Sequence, residues 1–347
     1  MEKTSSDTLM EPELMPALKE QRQKKNTPFG MMKAIRIHEY GGLEKLIYED
    51  VRIPDIGPDE VLIKVNASGI NPIDWKVREG QLKEMVTHKF PLIPGWDVEG
   101  IIADYGVLVT RFAKNDAVFA SLDISRNGSY AEYVVVKSKD VAFAPGILPQ
   151  SAAGVALAAQ TAWMGLFEEG RLKPNQRILI RGASGGVGTF AVQLAKIAGA
   201  YVIGSTSEVN IELVKSLGAD EVLDYKKDDF SKLRNLDMIF DTVGGETQTH
   251  LWQLLNRGGM LISTVGISGN EASGYGVTGK AFKMIPSGAR LQDIAGLIDR
   301  GALRVIIEKI FPFSEAGKAQ KLSQSGKTRG KIILEVQKRQ ANDRKKH

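Results

Sequence analysis

The sequence predicts an α/β protein in which a β-rich part precedes a doubly wound parallel sheet. Short strands broken by Gly, Pro and Asn fill residues 32 to about 150, and from about 177 to 264 strands alternate with helices. Such alternation is typical of a parallel sheet with helices on both faces. A glycine-rich turn lies between one of these strands and the helix after it, where phosphate-binding sites are commonly found.

The first part of the chain divides into an arm and a run of short strands. Residues 1–31 are polar, charged and without periodicity, which predicts a disordered arm. The strands that follow are predicted over 33–37, 60–65, 98–103 and 131–136. Their spacing indicates a compact β-rich domain.

The second part begins with an Ala-rich segment, 151–169, that we predict to be helical. The strands predicted after it are 177–180, 201–203, 221–223, 238–241 and 260–264, and the helices between them are 190–198, 211–217 and 247–255. A helix over 291–298 and strands over 305–313 and 331–336 return the chain to its first domain. Residues 266–283 show no pattern that predicts an element.

These elements predict two domains and a C-terminal tail. The β-rich domain comprises 32–152 and 289–337, and the nucleotide-binding domain comprises 153–288. Residues 338–347 form a basic tail that supplies most of the net charge of +5. We interpret this tail as a solvated end, and because no basic stripe marks the rest of the chain, we expect no nucleic-acid binding.

The glycine-rich turn has the spacing Ala183-x-Gly185-x-x-Gly188 and follows an apolar strand directly. In a turn of this kind, backbone N–H groups and a helix N-terminus face a pyrophosphate, and glycines leave room for it. The candidate phosphate contacts are Ser184, Gly185, Gly186, Val187 and Gly188. The alternative is a tight turn that binds no ligand.

The end of the next strand indicates which dinucleotide binds. A protein that binds NAD carries Asp or Glu there for the ribose 2′-hydroxyl, but this chain has hydroxyl side chains, among them Ser205 and Ser207. Without a carboxylate there is no repulsion of a 2′-phosphate, and hydroxyls can donate hydrogen bonds to it, which favours NADPH. Lys226, beside Tyr225 at the end of the following strand, is the nearest basic candidate for the predicted pocket, whereas Glu208 opposes a phosphate. The alternative is a site that shows no preference between NADPH and NADH.

Composition excludes several classes of site. The 347 residues include no Cys and four scattered His, so we expect no disulfide, no thiolate nucleophile and no bound metal. We find no uninterrupted apolar stretch long enough to span a bilayer. The N-terminal residues lack the apolar core of a signal peptide and are too acidic for a transit peptide. We therefore expect a cytoplasmic protein.

Several motifs, in order along the chain, resemble those of one superfamily. They are GINPIDWK at 69–76, PGWDVEG at 94–100, GSYAEY at 128–133, the turn at 182–188 and TRGK at 328–331. On these the chain resembles the medium-chain dehydrogenase/reductase superfamily, and specifically its zinc-free quinone oxidoreductase type, from about residue 32 to 336. The resemblance implies a GroES-like catalytic domain, a Rossmann domain and a homodimer.

The zinc-free assignment rests on three positions. Zinc alcohol dehydrogenases of the same fold carry a cysteine ligand where this chain has Asn71, a histidine ligand where it has Trp96 and a proton-relay hydroxyl where it has Ile73. An indole does not bind zinc and an alkyl group does not relay a proton. Asn115 replaces a glycine of the family and tolerates a left-handed turn. At Glu208, relatives that use NADPH often carry a lysine.

The chemistry implied is hydride transfer from NADPH to a quinone or an α,β-unsaturated carbonyl, both small electrophilic acceptors. The resemblance places Asn71 and Thr161 near the nicotinamide. Asn71 either donates to the developing oxyanion or is only a turn residue before Pro72. Asp74 is the second catalytic candidate, although we expect it to fix the loop rather than to transfer a proton. Lys76 is either an electrostatic aid or a solvated lysine.

Val243, Thr264 and Lys331 complete the cofactor-binding candidates that accompany the resemblance. One alternative to catalysis is a protein that binds NADPH and acts only through interactions or regulation. Multiple turnovers of NADPH oxidation with a simple quinone separate the two.

Overall fold

The structure is a computed structural model that describes residues 30–269 and 271–337. The predicted disordered arm lies outside the described residues as far as residue 29, and so does the basic tail at 338–347. Met31 had been assigned to the arm, and this is corrected: its backbone pairs with Arg52, so it is the first residue of a strand.

The β-rich part contains a two-stranded ribbon and a larger sheet. Its strands are β1 (Met31–Arg36), β2 (Ile47–Arg52), β3 (Glu60–Ile70), β4 (Asp97–Tyr105), β5 (Ala117–Ser121), β6 (Tyr133–Lys137), β7 (Val141–Phe143), β14 (Ile307–Pro312) and β15 (Lys331–Glu335). β1 and β2 pair antiparallel. The others form a seven-stranded sheet in the order β14-β15-β3-β4-β5-β7, with β6 beside β3. Only β14 and β15 pair in parallel there, so the C-terminal strands complete the N-terminal sheet as predicted.

The middle of the chain forms the predicted parallel sheet. Its strands are β8 (Arg177–Arg181), β9 (Tyr201–Thr206), β10 (Glu221–Asp224), β11 (Leu236–Asp241), β12 (Leu255–Ser263) and β13 (Thr278–Ala281). Their order is β10-β9-β8-β11-β12-β13, and every neighbouring pair is parallel. The order reverses between β8 and β11, which is the arrangement of a doubly wound sheet.

Helices connect and cover these strands. They are α1 (Pro72–Arg78), α2 (Pro149–Ala152), α3 (Ala156–Trp163), α4 (Gly186–Ile197), α5 (Ile211–Ser216), α6 (Gly288–Asp299) and α7 (Ala316–Gln324). A π-helix spans Met164–Glu169. Short 3-10 helices span Leu43–Lys45, Ser138–Asp140, Glu208–Asn210, Phe230–Lys232, Glu246–Leu254, Glu271–Tyr275 and Phe313–Glu315.

Alternation along β8 shows why both faces of the parallel sheet are buried. Ile178 and Ile180 pack with α3, α4 and α6 in one core, whereas Leu179 packs with Trp252 on the opposite face. Successive side chains of a strand point to opposite faces, so an uninterrupted apolar strand requires cover on both. Both faces of the sheet are therefore covered, and its carboxyl edge is the place that remains for a site.

Two predicted elements, and one segment for which no element was predicted, differ from the observed structure. The helix predicted over 151–169 is divided into α2, α3 and the π-helix. The helix predicted over 247–255 is a 3-10 helix that ends at Leu254, because Leu255 already belongs to β12. Residues 266–283, which showed no pattern, include the edge strand β13. Asn115 does adopt the predicted left-handed conformation, with φ 74°.

Candidate active site

A cleft of about 2060 Å³ lies at the carboxyl edge of the parallel sheet and is closed on its other side by the β-rich part. In doubly wound sheets the ligand crevice lies outside the carboxyl ends of the strands, at the point where the strand order reverses. The cleft brings together the predicted site residues Asn71, Thr161, Ser184, Gly185, Gly186, Val187, Ser205, Ser207, Tyr225, Lys226, Val243, Thr264 and Lys331. Asp74 and Gly188 are not among the residues that line it.

The two glycines of the turn have different physical roles. Gly185 is the N-cap of α4, and a Cβ added there would meet only the Gly182 carbonyl oxygen, at 3.3 Å. A Cβ on Gly188 would lie 2.0 Å from that same oxygen and 2.8 Å from the Ala183 Cα. We predicted that both leave room for a pyrophosphate. For Gly188 this is corrected, because its missing side chain allows the helix to pack closely on the turn.

The β-rich part touches the turn directly. The Gly330 N–H donates to the Ser184 carbonyl at 2.8 Å. A Cβ on Gly186 would lie 3.0 Å from Cδ of Lys331. The segment that precedes β15 therefore contacts the predicted phosphate turn and connects the two halves of the cleft there.

A buried polar network lies where β3, β4 and β15 meet. The Lys331 ammonium donates to Asp97 Oδ2 at 3.3 Å, to the Ile70 carbonyl at 3.3 Å and to Asn71 Oδ1. Asn71 Nδ2 donates to Asp97 Oδ2 at 2.9 Å and to the Gly69 carbonyl at 3.3 Å. Lys331 is 3% exposed and Asp97 is 0% exposed. The two charges are paired inside the protein, as buried charges must be.

This network engages the polar groups of two predicted site residues, Asn71 and Lys331, which both line the cleft. Asn71 was a candidate donor to an oxyanion, but both hydrogens of its amide already point at protein oxygens. Lys331 was expected to contact the cofactor, but its three ammonium hydrogens have three protein acceptors. Both residues hold the floor of the cleft in place, and the stem of Lys331 lies against the glycine turn.

Asp97 is the residue of this network to which sequence reasoning gave no role. Its Oδ1 accepts from the Leu157 N–H, in the first turn of α3, at 2.6 Å. Burial raises the pKa of Asp97, and the Lys331 ammonium opposes that shift. The signal in the sequence is a carboxylate at the start of a largely apolar strand, and a buried carboxylate needs a partner elsewhere in the chain.

Asp74 lies behind the cleft and is fully buried. Its Oδ2 accepts from the Asn71 N–H at 2.8 Å and from the Tyr130 hydroxyl at 2.9 Å. Its Oδ1 has no partner among the described residues. Burial raises the pKa of Asp74 to about 7, although both hydrogen bonds oppose the shift. The geometry fits the predicted role of fixing the loop, and it gives Asp74 no path to an acceptor in the cleft.

Apolar side chains line one end of the cleft. They are Ile73, Leu82, Met85, Val86, Trp96, Leu122, Ile124, Phe282, Met284 and Ile285. Lys76 also lines this end, with its ammonium 5.6 Å from the ring centroid of Trp75 and no ion pair within the described chain. The Thr161 hydroxyl donates to the Leu157 carbonyl at 2.7 Å, so only its lone pairs face the cleft. This part of the cleft therefore offers mainly apolar contacts.

The other end of the cleft is polar and charged. Ser205 and Ser207 lie there with Tyr225, and the Lys226 ammonium is 5.7 Å from the Tyr225 ring centroid. Lys227, which sequence reasoning missed, forms an ion pair of 2.7 Å with Glu208. Lys226 and Lys227 are adjacent in a loop, and the sequence alone does not indicate which of them faces Glu208.

The described residues provide no metal site. They contain no group of three or more His, Cys, Asp or Glu side chains that could hold an ion. At the position of the histidine ligand in zinc relatives, the buried Trp96 indole donates to the Arg126 carbonyl at 3.2 Å. Nor does any described helix have the length and apolar character needed to cross a bilayer.

Two known sequence families match this chain. The family described as "Alcohol dehydrogenase GroES-like domain" matches residues 57–146, and the one described as "Zinc-binding dehydrogenase" matches residues 217–334. The first match falls in the β-rich part. The second spans most of the parallel sheet and the C-terminal strands.

Relatives match across most of the chain. The human "NAD(P)H oxidoreductase RTN4IP1, mitochondrial" is 35% identical, over 88% of this chain and 89% of that protein. The spinach "Quinone-oxidoreductase homolog, chloroplastic" is 33% identical, over 88% of this chain and 98% of that protein. The solved quinone oxidoreductase from Coxiella burnetii is 29% identical, with a TM-score of 0.82, over 88% of this chain and all of that one.

The predicted cytoplasmic location is wrong on these comparisons. The human relative is named mitochondrial and the spinach relative chloroplastic. The prediction had relied on the acidic residues of the N-terminal arm, which lie outside the described residues. Charge composition of an arm is a weak guide, because an organelle address is read by a receptor rather than set by the fold.

The two glycines of the turn give a matched pair of variants. Gly185→Val places branched carbon at the cleft, so we expect the protein to fold and its NADPH Kd to rise at least about tenfold. Gly188→Ala forces a Cβ against the Gly182 carbonyl, so we expect a loss of about 1–3 kcal/mol in the free energy of unfolding. Fluorescence titration and urea unfolding measure the two effects. Unchanged NADPH affinity in folded Gly185→Val would refute the nucleotide assignment.

Asp74 gives a prediction about pH and stability. Its pKa is about 7 when folded and near 3.8 when unfolded, so between these values the folded state holds a proton that the unfolded state has lost. The stability that this proton provides is complete below pH 3.8 and is lost as pH rises through 7. Asp74→Asn keeps an acceptor for Asn71 and Tyr130 and does not titrate. The free energy of unfolding of Asp74→Asn minus that of wild type should therefore increase by about 1.4 kcal/mol for each pH unit between pH 3.8 and 7.

Urea unfolding of wild type and Asp74→Asn from pH 4 to 8 measures this difference. Subtracting the two profiles removes the titration of all other groups. A difference that stays constant over this range would show that Asp74 has the same pKa in both states.

Proposed function

This chain belongs to the medium-chain dehydrogenase/reductase superfamily, in its zinc-free quinone oxidoreductase type, and we propose that it transfers hydride from NADPH to a quinone or α,β-unsaturated carbonyl without a metal. It is an oxidoreductase, and its relatives indicate a nicotinamide cofactor. The observation that carries the proposal is that one cleft contains both the predicted phosphate turn and a group of apolar side chains.

The described residues fit a dinucleotide. The N–H groups at the start of α4 face the cleft, and the space at Gly185 would be closed by larger side chains. We assign the pyrophosphate to Ser184–Val187, the adenosine end to Ser205, Ser207, Tyr225 and Lys226, and the nicotinamide end to Thr161, Val243 and Thr264. The domain limit of 152/153 remains our proposal, whereas the limit of 288/289 is corrected, because α6 begins at this limit and packs with β8 in the core of the parallel sheet.

The cofactor supplies a hydride when bound, so the protein must orient the acceptor and stabilise the negative charge that forms on its oxygen. The apolar wall around Trp96 orients a flat ring and excludes water. The Lys331 and Asn71 donors are already used, which leaves Lys76 as our candidate for the cation that faces the developing oxyanion. No buried acid is required, because solvent can protonate a phenolate or enolate.

A steady-state assay tests this function. We expect catalytic oxidation of NADPH by 1,4-naphthoquinone over many turnovers, at the same rate after exhaustive dialysis against a chelator, because Asn71 and Trp96 occupy ligand positions. Absorbance at the reduced nicotinamide band measures turnover, and metal analysis accompanies it. NADPH binding without turnover across quinones, enals and enones would favour the alternative of a regulatory binding protein.

Lys76 provides a second test. We expect Lys76→Met to lower kcat with naphthoquinone at least about tenfold, because the developing oxyanion loses the charge that faces it, while the NADPH Kd stays within about twofold. Lys76→Arg keeps the charge and should retain most of the activity. The control is Lys83→Met, an exposed lysine near α1 that does not line the cleft. Equal kcat values for Lys76→Met and wild type would remove Lys76 from the mechanism.

A further inference from the structure

The loops at the polar end of the cleft lie side by side because their strands do. β9 and β10 are parallel neighbours, with Thr206 opposite Asp224. The Tyr225 N–H donates to the Thr206 carbonyl at 3.1 Å, which continues the pairing into the loops. Residues that follow the two strands therefore face one another across the adenosine end of the cleft.

An ion pair spans these two loops. Lys227 Nζ lies 2.7 Å from Glu208 Oε1, and both side chains line the cleft. The Lys227 side chain is 61% exposed and that of Glu208 is 66% exposed. Exposed pairs of this kind contribute little to folding, because water and salt screen the attraction between the two charges. A charged ligand that enters the cleft can therefore compete for either partner.

The neighbouring groups leave this pair free to respond to a ligand. Asp224 Oδ1 accepts from the Lys226 N–H at 3.0 Å, and Asp228 Oδ2 accepts from the Asp224 N–H at 2.7 Å, so these carboxylates serve the turn itself. The Ser207 hydroxyl accepts from Asn210 Nδ2 at 3.1 Å and keeps its own hydrogen to donate.

The two members of the pair favour opposite cofactors. A carboxylate repels a ribose 2′-phosphate and accepts from a free 2′-hydroxyl, whereas an ammonium attracts the phosphate. We propose that the Glu208–Lys227 ion pair sets the preference of this chain between NADPH and NADH. The phosphate of NADPH draws Lys227 away from Glu208, and the 2′-hydroxyl of NADH donates to Glu208. The inference rests on the proposed function only in that the cleft binds a dinucleotide.

Dissociation constants of NADPH and NADH, measured by fluorescence titration at fixed ionic strength, test the proposal. We expect Lys227→Gln to raise the NADPH Kd about tenfold and to leave the NADH Kd within about twofold, because only the phosphate loses its partner. We expect Glu208→Gln to lower the NADPH Kd about threefold, because the repulsion of the phosphate is removed, and to raise the NADH Kd about threefold, because a neutral amide oxygen is a weaker acceptor for the 2′-hydroxyl than a carboxylate.

The matched control is Lys215→Gln, which breaks an exposed Lys–Glu pair of 3.1 Å on α5, outside the cleft. It should leave the ratio of the two constants unchanged, and thermal unfolding confirms that every variant is folded. A ratio that moves no more in Lys227→Gln and Glu208→Gln than in Lys215→Gln overturns the inference while leaving dinucleotide binding intact. Wild-type protein that binds neither cofactor overturns the proposed function itself.

Discussion

The Lys331 ammonium lies between three strands of the β-rich sheet, where it is 3% exposed and must be paired inside the protein. Asp97 provides the opposite charge, and Asn71 and the Ile70 carbonyl take the remaining hydrogens. Removing one partner would leave an unpaired buried charge, which typically costs about 3–5 kcal/mol. The pair therefore fixes where β3 ends, where β4 begins and where β15 begins, and these three points form the floor of the cleft.

The same pair joins the two halves of the site. Asp97 also accepts from the Leu157 N–H, at the start of the helix that carries Thr161. Gly330, next to Lys331, donates to the turn at Ser184. One buried network thus sets the distance from the phosphate turn to the apolar end. An enzyme that relies on orienting its acceptor, with no metal to polarise it, needs such a fixed distance.

Those parts of the fold that depend on local pattern could be predicted from the sequence. The alternation of strands and helices gave the doubly wound sheet, and the spacing around Gly185 gave the turn. The edge strand β13 could not be predicted, because its sequence Thr-Gly-Lys-Ala is mostly exposed and lacks an apolar face. Pairings between distant residues were also beyond reach. Asp97 and Lys331 are 234 positions apart, and no local pattern joins Glu208 to Lys227.

A crystal structure of this chain with NADPH bound tests the account most directly. We expect the pyrophosphate at the start of α4, the 2′-phosphate beside Ser207 and Lys227, and the nicotinamide near Thr161, above an unchanged contact between Lys331 and Asp97. A nucleotide bound elsewhere would contradict the account. So would a Lys331 ammonium that leaves Asp97 to contact the cofactor.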